Sequence, residues 1–162
     1  MDNSCFFKTA KELINIETRK IESFCDTLDK DPIAKKKQIT EYIRAKHRYA
    51  GVSNVCAIFS LNHRVAESNT KTHYLIPQLN DIFAATPEYL ALYDDAPDSE
   101  KRDYALYYGT IAFVDSEIAK HESRILNSTD WEKVELEERI GGLRFAKECL
   151  SEAWDKRKEV IV

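Results

Sequence analysis

The chain has 162 residues, 43% of them hydrophobic and 32% charged, with a net charge of −4. That length suits one domain over residues 1–162 with a sizeable core, and that balance excludes a disordered polyelectrolyte. Four glycines and four prolines are too few for the turns of an all-β fold, and no run approaches the ~20 apolar residues that cross a bilayer.

The first expected helix covers residues 4–28, where Phe6, Phe7, Ala10, Leu13, Ile14, Ile21, Phe24, Cys25 and Leu28 recur at helical spacing. Asp31 followed by Pro32 reads as the N-cap and first-turn proline of a second helix reaching residue 67. Its middle, 49–61, is apolar nearly all round and is expected to be its most buried part. Gly51 weakens that helix by ~1 kcal/mol relative to alanine and marks either a kink or a close crossing. Residues 68–72 are polar and read as a loop, followed by short helical pieces over 73–84 and 86–93 and a turn at 94–97. Asp98 is the expected cap of a third long helix ending near 126. Thr129 and Glu132 have capping-box spacing and open a fourth helix, ending near 159. The expected fold is all-α: an elongated four-helix bundle of antiparallel hairpins, with two short helices between its second and third members.

Small residues line one face of each of the last two helices. Ala105, Gly109, Ala112, Ser116 and Ala119 form one stripe, and Gly142, Ala146, Cys149 and Ala153 form the other. Folding back at Asn127 and Ser128 pairs Gly109 with Ala146, Ala112 with Gly142, and Ala105 with Cys149. Small contact residues let helix axes approach to the short end of the ~8–10 Å range.

Charge is unevenly spread. Residues 1–80 carry 13 Lys/Arg against 9 Asp/Glu, and residues 81–162 carry 11 against 19. Halves of opposite sign are expected to attract each other when packed, or to present two distinct surfaces. The four cysteines are widely separated, without a CxxC pair, and Cys25, Cys56 and Cys149 sit on apolar faces as small hydrophobes. Met1 to Ser4 show no basic region followed by an apolar run, so a cytoplasmic protein is expected.

No catalytic or cofactor motif stands out, and no cofactor is expected. Carboxylates Glu88, Asp94, Asp95, Asp98, Glu100 and Asp103 alternate with Tyr89, Tyr93, Tyr104, Tyr107 and Tyr108. Tyrosine joins large buried area to a polar tip, and surrounding carboxylates steer a basic partner. The leading expectation is a non-enzymatic regulator or inhibitor that occludes a basic groove on a larger protein. Tyr89, Tyr93, Asp94, Asp95, Asp98, Glu100, Asp103, Tyr104 and Tyr107 are its contact residues, although Tyr104 and Tyr108 also fall on a face suited to the core.

The alternative is an enzyme. Glu135-x-x-Glu138, then thirteen residues, then Glu152-x-x-Asp155 matches the spacing of the ExxE…ExxD signature of all-α nucleotide pyrophosphohydrolases, whose four carboxylates hold magnesium. Spacing alone matches. Those enzymes carry the two pairs on separate helices, whereas the apolar stripe from Ile140 to Trp154 runs unbroken here. On one helix Glu138 and Glu152 stand ~21 Å apart, too far for one metal cluster. Two further patterns carry weaker signals. His63 with Glu67 and Glu117 with His121 are i,i+4 pairs that a metal site or a surface charge pair would both use. Lys35, Lys36, Lys37, Arg44, Lys46, His47 and Arg48 suit nucleic-acid phosphates, but Asp29, Asp31 and Glu41 interrupt them. A membrane partner is not expected, and a homodimer is compatible with the small-residue stripes.

Overall fold

The computed structural model describes residues 5–31, 33, 36, 38–68, 87–97 and 100–157. All regular structure among them is helical: α1 (Cys5–Lys30), α2 (Ile39–Ser68), α3 (Pro87–Asp94), α4 (Lys101–Ile125) and α5 (Asp130–Lys156). The all-α expectation holds. The expected piece over 73–84 lies outside the described residues.

The second helix begins later than the Asp31-Pro32 signal suggested. Asp31 does cap locally, its Oδ1 accepting from the Ile33 amide at 3.0 Å. The chain then bends at Gln38, whose carbonyl accepts from the Tyr42 amide to open α2. A cap fixes where a helical turn begins; it does not carry that turn into the next helix. Asp98 lies outside the described residues, and the N-cap of α4 is Glu100, without a side-chain bond to the helix amides. The Thr129 expectation holds fully: Glu132 N donates to Thr129 Oγ1 at 3.4 Å, and Thr129 N donates to Glu132 Oε2 at 3.1 Å. These reciprocal bonds satisfy two of the otherwise unpaired amides of that end.

Side-chain contacts set the helix directions. Tyr49 Oη donates to Glu22, while Phe7 packs on Phe59 and His63, so α1 and α2 run antiparallel. Tyr107 with Ser151, Asp115 with Lys147 and Glu122 with Arg144 make α4 and α5 an antiparallel hairpin closed at Asn127 and Ser128. Among the described residues the most extensive contact joins α2 to α5. Those two run parallel, with His47 on Glu135 at one end and both Phe59 and Trp154 against Phe6 at the other. Helices α1 and α4 flank this central pair.

Two glycines make the central contact. A Cβ built on Gly51 would stand 2.3 Å from the Arg139 carbonyl oxygen, and one on Gly142 would stand 2.1 Å from that of Arg48. Gly51 therefore marks a close crossing and no kink, since α2 continues through it. Gly142 faces α2, which corrects its expected pairing with Ala112. The stripe of α4 also ends early: Ala105, Gly109 and Ala112 are buried, whereas Ser116 and Ala119 are exposed.

The core gathers Phe6, Ala10 and Ile14 of α1, Val52, Val55 and Phe59 of α2, and the inner faces of α4 and α5. Val52, Val55 and Phe59 bury the middle of α2 as expected, but on one face only, leaving Ala57 and Leu61 exposed. A polar link crosses this interior. Asn62 Nδ2 donates to Thr110 Oγ1 at 3.3 Å, and that hydroxyl donates to the Leu106 carbonyl. Thr110→Val keeps the shape but removes the acceptor of a buried amide, and is expected to cost about 1–3 kcal/mol in urea unfolding. An Asn62→Ala, Thr110→Val double-mutant cycle should then show coupling of at least ~0.5 kcal/mol. Additive losses would mean that the link is not made.

Candidate functional site

The acidic, tyrosine-rich region resolves into two layers. The inner layer is aromatic and centres on Trp154, buried near the C-terminus of α5. Tyr107 stacks on its ring at 4.5 Å and 3°, while Tyr104 and Phe6 meet it edge-on at 4.9 and 5.3 Å. Tyr108 approaches at 5.7 Å. Arg157 closes the outer face, its guanidinium carbon 3.5 Å from the Trp154 ring centre and its Nη1 donating to the Trp154 carbonyl. Such ring pairs contribute ~0.5–1.5 kcal/mol each beyond their buried area, and a cation over an indole adds to it. Desolvation by burial pushes the Tyr108 hydroxyl above its usual pKa, keeping it neutral. Tyr104 and Tyr107 thus anchor the start of α4 and are only half exposed.

The outer layer is acidic. Helix α3 packs on α4 and ends at Asp94, and the Asp95 amide donates to the Ala91 carbonyl. Glu88, Asp94 and Asp95 are exposed, as is Leu92, whereas Ala96 is buried. Pro97 accepts from the Glu100 and Lys101 amides and turns the chain directly into α4. Glu100 and Asp103 are half-buried at that entry, where a carboxylate in the first turn complements the helix dipole. Tyr89 and Tyr93 lie in α3, with side chains outside what is described, and Asp98 is outside the described residues. Leu92 and the Trp154–Arg157 support were missed from sequence. A leucine beside two aspartates at a helix end was the available signal for the first; no local pattern marked the second.

The carboxylates of the nucleotide-hydrolase alternative are not brought together. Helix α5 runs unbroken through Gly141 and Gly142, so even the nearest members of the two pairs, Glu138 and Glu152, stay ~21 Å apart along it. The first pair faces the basic stretch of α2: His47 Nε2 lies 3.5 Å from Glu135, and Arg44 Nε lies 3.9 Å from Glu138. Glu152 pairs with Lys156 one turn on. Two sequence candidates, the ExxE half and the basic face, therefore meet and offset each other.

The two histidine pairs also stay apart. His63 stacks on Phe7 near the Trp154 end, whereas His121 is buried in α4 within the field of Arg139. Desolvation, aided by Arg139, holds the His121 imidazole below its usual pKa, so it is neutral at pH 7. Glu117 pairs with Lys120. Among the described residues no three His, Cys, Asp or Glu side chains converge to hold a metal ion, and no helix is long and apolar enough to cross a membrane. Burial raises the Cys56 thiol pKa, which keeps it protonated and inert beside the core.

No protein-family model, curated protein or solved structure matches this chain.

Proposed function

We propose that the protein is a non-enzymatic, cytoplasmic interaction protein, a regulator or inhibitor that docks on a basic groove of a larger protein. Its contact surface is Glu88, Leu92, Asp94 and Asp95 of α3 and its end, continued by Glu100 and Asp103 at the start of α4. Tyr104 and Tyr107 contribute from behind, as the aromatic base that holds α4 in place.

One observation carries this reading. Asp94 and Asp95 are exposed beside an exposed leucine, on a short helix that packs on an aromatically anchored one. Adjacent carboxylates repel each other, so their juxtaposition on a fixed support gains from a cationic partner and disfavours an acidic one. An apolar side chain among charges supplies the contact that is desolvated on docking. Occlusion then needs no chemistry: a domain seated in a groove excludes other ligands by volume and by charge.

Capture from native-host lysate with tagged protein identifies the partner, and binding of the purified pair supplies the test. Asp94→Lys with Asp95→Lys is expected to weaken that binding at least ~10-fold at 0.1 M salt, chiefly by slowing association, and the difference should shrink at 1 M salt. A partner bound equally well by the charge-reversed protein at every salt concentration overturns the proposal.

A further inference from the structure

On the opposite flank of the central pair, α1, α2 and α5 leave an open groove of about 410 Å³. It lies where the burial of α1 falls off along the helix. Phe6, Ala10 and Ile14 are fully buried, whereas Ile21 and Phe24, further along the same apolar stripe, are only half covered. Phe145 of α5 faces the same space. The groove falls within the ~300–1,000 Å³ range of small-molecule sites, with the apolar walls such sites favour.

Its rim is charged. Lys20, Arg44 and Arg48 line it together with Glu41 and Glu138, the two arginines one turn apart on α2. The Arg44–Glu138 contact is long, 3.9 Å, and 52% of the Arg44 side chain is exposed. Pairs of that kind contribute ~0–1 kcal/mol, so turning the guanidinium toward a ligand costs little. A guanidinium binds carboxylate through two parallel hydrogen bonds, and an apolar wall beside it selects the body attached to that carboxylate. Glu41 and Glu138 act against ligands of higher negative charge, polyphosphates among them.

We propose that this groove binds a small amphipathic monoanion, an aromatic or alkyl carboxylate. Its apolar body lies against Phe24 and Phe145, and its carboxylate is held by Arg44 and Arg48. The site is separate from the acidic surface of α3, and neither depends on the other.

The test is a fluorescence titration of the intact protein with anilinonaphthalene sulfonate, an aromatic monoanion, using naphthoate as competitor and phenylnaphthylamine as an uncharged probe. The expected result is one saturable site from which naphthoate displaces the anion. Arg44→Gln with Arg48→Gln should weaken the anion about tenfold or more, as loss of a charge-assisted contact implies, with far less effect on the uncharged probe. Phe24→Ser should weaken both probes. Lys133→Gln, exposed elsewhere on α5, should change neither. Circular dichroism establishes that each variant keeps its helices, and single arginine variants replace the pair if the pair does not. Several sites per chain, failure of naphthoate to compete, or equal loss in Lys133→Gln overturns the proposal.

Discussion

Gly142→Ala is expected to destabilise the protein by ~3 kcal/mol or more, while Gly141→Ala, its immediate neighbour, stabilises it by about 0.5–1 kcal/mol. The two positions share a helix and differ by one step of 100° around it. At Gly142 the added methyl would meet the Arg48 carbonyl oxygen at 2.1 Å and the Val52 amide nitrogen at 3.1 Å. Both are backbone atoms of α2, so no rotamer change relieves the clash, and α2 must move away from α5 along its length. Overpacking of a core usually costs ~1–3 kcal/mol, and an obstacle made of main chain puts this case at the upper end or beyond. At Gly141 the methyl would meet nothing within 4 Å, so only the entropic advantage of alanine in a helix remains. Gly51→Ala repeats the experiment from the other side, with its methyl 2.3 Å from the Arg139 carbonyl oxygen. Urea unfolding at 25 °C measures all three. Equal stability of the Gly141 and Gly142 variants would mean that α2 and α5 do not touch there.

That contact also shows what a sequence conveys and what it withholds. The capping box at Thr129 and the breaks around it were legible because every partner lies within three residues. The small-residue stripe of α5 was legible as a face, but each central helix has three neighbours, and spacing alone does not choose among them. Proximity in sequence favoured α4; the structure gives Gly142 to α2, ninety residues away in the chain. Charge behaved alike. The opposite signs of the two halves were plain from composition, whereas the specific pairing of Arg44 with Glu138 and His47 with Glu135 required the fold. It also took away the enzyme motif and engaged two residues of the basic face, Arg44 and His47. For the tyrosines, residue type fits core and interface equally. Only the position of Trp154, forty-seven residues beyond Tyr107, assigns Tyr104 and Tyr107 to the support.

Trp154→Ala is expected to cost about 3–5 kcal/mol, the usual range for truncating a buried large aromatic. Four rings lie against this side chain, from α1 and α4, with Arg157 over its outer face, so its loss unpins three helices at one end. Trp154→Phe keeps an aromatic surface and should recover a large part of that loss. Tyr107→Phe keeps the stack and removes only the 3.2 Å hydroxyl contact with Ser151, for about 1 kcal/mol. The ordering matters more than any single value: Ala far below Phe at 154, and Tyr107→Phe nearly native, identify stacked rings as the source of stability at this end. A Tyr107→Phe loss equal to that of Trp154→Ala would move the credit to the hydroxyl. Because α3 packs on the helix that these rings anchor, Trp154→Ala should also weaken partner binding, even at temperatures where the protein remains folded. Trp154→Phe should bind nearly as the parent does. If Trp154→Ala binds as tightly as the parent, α3 presents its carboxylates without the aromatic base, and the acidic surface would be a local property of residues 88–95 alone.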